Sequence, residues 1–103
     1  MELKDIEKQV VDFSKKRAAA KEFALTPELS YIHLIEEVGE VARQLSNREL
    51  RPDLFDEHNL KEEIVDVILE ALILANQCNI DLEKEIPRKI DALFKRHGFS
   101  QKE

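Results

Sequence analysis

A chain of 103 residues with 43% hydrophobic and 37% charged positions, but only two glycines and three prolines, has the composition of one ordered domain (1–103) rich in long helices. That balance excludes a disordered chain, and a formal charge of −6 argues against a nucleic-acid duplex as partner, because phosphate backbones are held by clustered Lys and Arg. An acidic protein can still bind a phosphorylated small molecule when a divalent cation bridges the like charges.

Leu3, Ile6, Val10 and Phe13 form a helical stripe that continues through "KKRAAAK", so a first helix is expected over roughly residues 2–23. The amino terminus is charged from its second residue and lacks the apolar region of a secretory signal, so a soluble cytoplasmic protein is expected. "KKRAAAK" reads as a solvated face with pairs such as Asp12 to Lys16. Thr26 and Pro27 then supply an N-cap and a first helical position for a second helix, expected to end near Leu45 or Arg48. Residues 47–59, with Pro52 and mixed charges, lose the helical period and read as one long connection, in which Phe55 is a candidate lid. Asn59 and Glu62 have capping-box spacing, which starts a third helix running to about Cys78. Apolar residues surround that helix almost entirely, marking it as central, yet its longest apolar run is far too short to span a membrane. Cys78 is the only cysteine, which excludes an intrachain disulfide and a cysteine-built metal site and leaves packing as its role. Asp81 is the expected cap of a fourth helix that ends at Gly98, with Pro87 expected to kink it or set off its first turn. Four helices and no alternating strand pattern define an all-α, four-helix antiparallel bundle.

Acids stand inside two of these helices. Residues three or four apart share a helix face, which aligns Glu37 with Glu40 in "LIEEVGEV", and Glu63 with Asp66 and Glu70 in "LKEEIVDVILEALILA". A single acidic pair is ordinarily a solvated face. Carboxylates flanked by Ile64, Val65, Val67 and Ile68 are different, because an unpartnered buried charge costs several kcal/mol and like charges raise one another's pKa. Basic neighbours could neutralise them, but a divalent cation with oxygen preference does so better and leaves positions for water and phosphate. Asp66 is expected to be the least solvent-exposed of the set. A di-iron centre would need Glu-x-x-His pairs, and neither acidic pair ends in His.

"LIEEVGEVARQL" followed by "LKEEIVDVILEALILANQCNIDLEKEIPRKI" resembles the all-α nucleoside triphosphate pyrophosphohydrolases of the MazG type, relatives of the dimeric dUTPases and of phosphoribosyl-ATP pyrophosphatase. The resemblance covers roughly residues 30–96, and its signature, ExxE on one helix and ExxD on the next, falls on Glu37, Glu40, Glu63 and Asp66. It implies that these four hold Mg²⁺, with Mn²⁺ as an alternative, that Glu36 or Glu70 orients or deprotonates a water, and that a nucleoside triphosphate is split into monophosphate and pyrophosphate. Lys89 and Arg96 in the last helix become the candidates for substrate phosphates, although both also suit a helix C-terminus. The family often carries an Asn in that helix, where this chain has Leu93 or Phe94. A homodimer or homotetramer is expected, both from the resemblance and from the all-round apolar surface of the third helix. The competing expectations are a phosphoribosyl-ATP pyrophosphatase-like hydrolase and a non-catalytic helical oligomerisation module whose acids pair between subunits.

Overall fold

The structure, a computed structural model, describes residues 1–101. It is all-α: α1 spans Leu3–Ala20, α2 Pro27–Leu50, α3 Glu57–Gln77 and α4 Leu82–Arg96, with a short 3-10 turn at Pro52–Leu54 and no strand among the described residues. None of the described helices is long and apolar enough to cross a membrane.

Local chemistry sets the boundaries. The Thr26 hydroxyl oxygen accepts from the Leu29 N–H at 3.2 Å, and Pro27 occupies the first turn, so α2 starts where the sequence indicates. Its end differs, because α2 continues through residues 47–50, whose Arg, Glu and Leu favour helix even without an apolar face to bury. The start of α3 differs as well. Asp56, not Asn59, is the cap, its Oδ1 accepting from the Asn59 N–H at 3.1 Å. The long connection therefore shrinks to residues 51–56, and a link that short folds α3 back antiparallel to α2. Gln44, buried on α2, fastens the link by accepting from the Asp56 N–H through Oε1 at 3.0 Å.

Three helix ends close through a left-handed residue: Glu22 (φ 57°) after α1, Asn79 (φ 58°) after α3 and Gly98 (φ 71°) after α4. In each, the next N–H reaches back to the last turn, Phe23 to Ala18 O at 3.1 Å, Ile80 to Ala75 O at 3.0 Å and Phe99 to Phe94 O at 2.8 Å. Asp81 stands at the start of α4 but makes no side-chain capping bond, and α4 runs through Pro87 as one helix.

The main packing is α2 on α3, with α1 laid against α3. Val10, Leu72 and Ile73 form the buried centre, supported by Leu3, Ile6, Leu69 and Leu82. Helix α4 packs only thinly on the rest, through Leu82 on this core and a Lys4–Glu83 ion pair at 3.5 Å, and it has no buried residue. The radius of gyration is 16.8 Å, against about 13 Å for a compact chain of this length. Apolar faces stay open in consequence: Ile35 and Val38 on α2, Ile64 and Ile68 on α3, and Ile86, Ile90 and Leu93 on α4 are all exposed. Two further residues depart from expectation, since Cys78 is exposed rather than packed and Phe13 is 55% exposed rather than core.

Candidate active site

Packing α2 against α3 brings three carboxylates together across the seam. Glu37 from α2, and Glu63 and Asp66 one turn apart on α3, each place an oxygen within 4.8 Å of the others. All three are half-buried, and Glu63 Oε2 is a buried oxygen without a hydrogen-bond partner. Crowding raises the pKa of two of them, Glu37 and Asp66. A side-chain hydrogen bond with Glu63, reinforced by burial and by the charges of Glu63, Asp66 and Glu70, pushes the Glu37 carboxyl from 4.5 up to about 7. Burial, then the charges of Glu63, Glu62 and Glu70, raises Asp66 as well, against a hydrogen bond from Glu37 that lowers it.

Glu40 does not join the group. Two residues three apart on a helix diverge by about 60°, and Glu40 turns along its own helix to Arg43 Nη2, 3.2 Å from its Oε1. Glu70 is the most buried acid of the constellation, its side chain only 9% accessible, and Asp66 is less enclosed than expected. The Oε1 of Glu70 accepts from Arg17 Nη1 at 3.0 Å, and Glu70 and Arg17 together line a cavity of about 210 Å³ with Glu37, Asp66 and Phe13. Glu36 is exposed and lines a neighbouring cavity of about 140 Å³ with Glu37, Glu70, Arg17, Lys21 and His33.

Neither Lys89 nor Arg96 lines these cavities; both stand exposed on α4. The cationic side chains that do line them, Arg17 and Lys21, come from the "KKRAAAK" segment, which therefore is not a solvated face throughout. Lys15 and Lys16 are exposed, and Lys16 pairs with Asp12 at 3.0 Å as expected, whereas the Arg17 side chain is only 20% accessible. A signal was present, since Arg17 falls four residues after Phe13 and extends the stripe of Leu3, Ile6, Val10 and Phe13. His33 lies edge-on to Phe23 at 5.9 Å, with Nδ1 buried and unpartnered, rather than paired to an acid. Phe55 is half-buried under the Arg48 guanidinium, 6.0 Å from its centroid, and lines neither cavity.

Three converging hard oxygen donors, one with an orphaned buried lone pair, fit a divalent cation of the Mg²⁺ or Mn²⁺ kind and leave further positions to water or phosphate. An all-α scaffold carrying such a carboxylate centre on two packed helices defines a helical protein with a candidate divalent-cation site. Residues 25–98, nearly three-quarters of the chain, match the model of the MazG nucleotide pyrophosphohydrolase domain. The chain belongs to that family and is a hydrolase of the nucleotide pyrophosphohydrolase kind. Among curated proteins, none matches it.

Proposed function

We propose that the protein is a Mg²⁺-dependent, or Mn²⁺-dependent, pyrophosphohydrolase that splits a nucleoside triphosphate of the cytoplasmic pool into nucleoside monophosphate and pyrophosphate. The observation that carries this reading is the meeting of Glu37, Glu63 and Asp66 within 4.8 Å. A bound cation supplies positive charge for the phosphoryl oxygens and makes water more acidic. The three carboxylates would hold it, and the raised pKa of Glu37 reflects carboxyl groups crowded together without positive charge.

Glu36 is the acid better placed to orient a water and take its proton, because it is exposed beside Glu37, whereas an oxygen of Glu70 is already committed to Arg17. As the water oxygen bonds to phosphorus, the oxygen bridging the α and β phosphates leaves with pyrophosphate. Lys21, exposed at the mouth of the smaller cavity, is positioned to meet phosphate oxygens. Glu40, Lys89 and Arg96 would contribute only through a rotamer change or from α4 of a second copy. A homodimer or homotetramer is part of the proposal, because Ile64 and Ile68 of α3 and the stripe of α4 remain open in one chain.

The test is pyrophosphate release across a panel of nucleoside triphosphates and phosphoribosyl-ATP, with and without Mg²⁺. Cation-dependent release from a triphosphate supports the proposal. A cation requirement seen with phosphoribosyl-ATP alone would move the substrate, and no release from any of them would favour the non-catalytic module.

A further inference from the structure

Glu70 presents a puzzle once the cluster is seen. It follows Asp66 by one helical turn and Glu63 by two, on the same face of α3, and it lines the same cavity as Glu37 and Asp66. By spacing alone it is a fourth carboxylate of the cluster, yet its oxygens are not among those that converge there.

What separates it is Arg17. The guanidinium comes from α1, 53 residues away in sequence, and binds Glu70 Oε1 through Nη1 at 3.0 Å. It is itself steadied by the face of Phe13, 5.2 Å from ring centroid to Cζ. The pair is not the forked, fully satisfied arrangement that stability alone would favour, because Arg17 Nε, Arg17 Nη2 and Glu70 Oε2 are all buried without partners. A half-buried arginine held through one bond, with other nitrogens unpartnered, beside an acidic cluster and between two cavities, is costly as a structural device and effective as a tether for Glu70.

We propose that Arg17 is a positioning residue that withholds Glu70 from a cation held by Glu37, Glu63 and Asp66. This rests on the reading of those three as cation ligands. With Arg17 in place, the negative charge of Glu70 is offset in part and its carboxylate is tethered toward α1. Without Arg17, Glu70 turns toward Asp66 and Glu37 and adds a fourth carboxylate, which tightens cation binding or opens a second cation position.

The experiment is Mn²⁺ titration followed by electron paramagnetic resonance on the purified full chain, in wild type, Arg17→Met, Arg17→Lys, Glu70→Gln and the double variant Arg17→Met/Glu70→Gln. The expectation is that Arg17→Met gains a further Mn²⁺ or binds it about tenfold more tightly, as an added nearby carboxylate would produce. Arg17→Lys binds as wild type does, Glu70→Gln gains no further Mn²⁺ and binds no more tightly than wild type because the Arg17 charge is left unpartnered, and the double variant returns to wild-type binding. That return separates the role from a merely structural one, because removing both partners leaves the same gap in the packing. A changed electron paramagnetic resonance line shape of the bound Mn²⁺ in Glu70→Gln, as distinct from a weaker affinity that the unpartnered Arg17 charge would cause by itself, would show Glu70 to be a ligand and overturn the proposal, and that arm decides even if Arg17→Met fails to fold. Unchanged binding in a folded Arg17→Met overturns it too. If wild type itself binds no Mn²⁺, the cation-ligand reading fails first, and the role given to Arg17 falls with it.

Discussion

Stability of the metal-free protein should fall as pH rises from about 5 to 8, and Glu37→Gln should remove most of that fall. The Glu37 carboxyl titrates near 4.5 when unfolded and at about 7 in the fold, so between those values the folded chain holds a proton the unfolded chain has released. The resulting stabilisation is complete below the lower value and is lost as pH climbs through the upper one. A displacement of that size corresponds to about 3 kcal/mol, and solvent contact at a half-buried cluster reduces it to on the order of 1–2 kcal/mol. For a domain near 100 residues, 1 kcal/mol moves Tm by about 4–8 °C. Thermal melts in a chelator, at fixed protein concentration, should therefore show wild type losing on the order of 5–10 °C between pH 5 and pH 8, with a flatter profile for Glu37→Gln. Millimolar Mg²⁺ should restore the loss at pH 8, since a ligand confined to the folded state stabilises it. Parallel profiles for the two proteins would refute the claim that these carboxylates share a strained, cation-seeking site.

Three further outcomes test the scaffold. Gln44→Ala removes the acceptor of the part-buried Asp56 N–H bond and should cost about 0.5–1.5 kcal/mol in denaturant melts. Glu22→Gly places a residue suited to positive φ after α1 and should raise stability by about 0.5–1 kcal/mol. Ile64→Lys introduces charge on an exposed apolar face of α3 and should shift light scattering toward monomer; an unchanged mass would remove that face from the proposed assembly.

Most of the helical framework was legible because caps and stripes are local. Thr26–Pro27 set the start of α2, and Gly98 set the left-handed close of α4. The α2–α3 link was harder, because Asp56 and Asn59 both carry capping oxygens, and the choice is made by Gln44, which reaches Asp56 from the other helix. The acidic site was readable as paired carboxylates on two helices, but not its membership. Helix geometry lets Glu37 face the seam while Glu40, about 60° round, finds Arg43. The Arg17–Glu70 pair spans 53 residues, so no local pattern could announce it. Only the continuation of the α1 stripe to Arg17 hinted that this cation faces inward.

The proposed role of the α2 and α3 carboxylates is hydrolysis of a nucleoside triphosphate through a divalent cation. Pyrophosphate release measured with Mg²⁺, for wild type and for Asp66→Asn with matched circular dichroism, tests it most directly. The expected result is turnover by wild type that stops in a chelator, and a loss of at least about a hundredfold in the folded variant. Equal release by Asp66→Asn, or release that persists without any divalent cation, would contradict it.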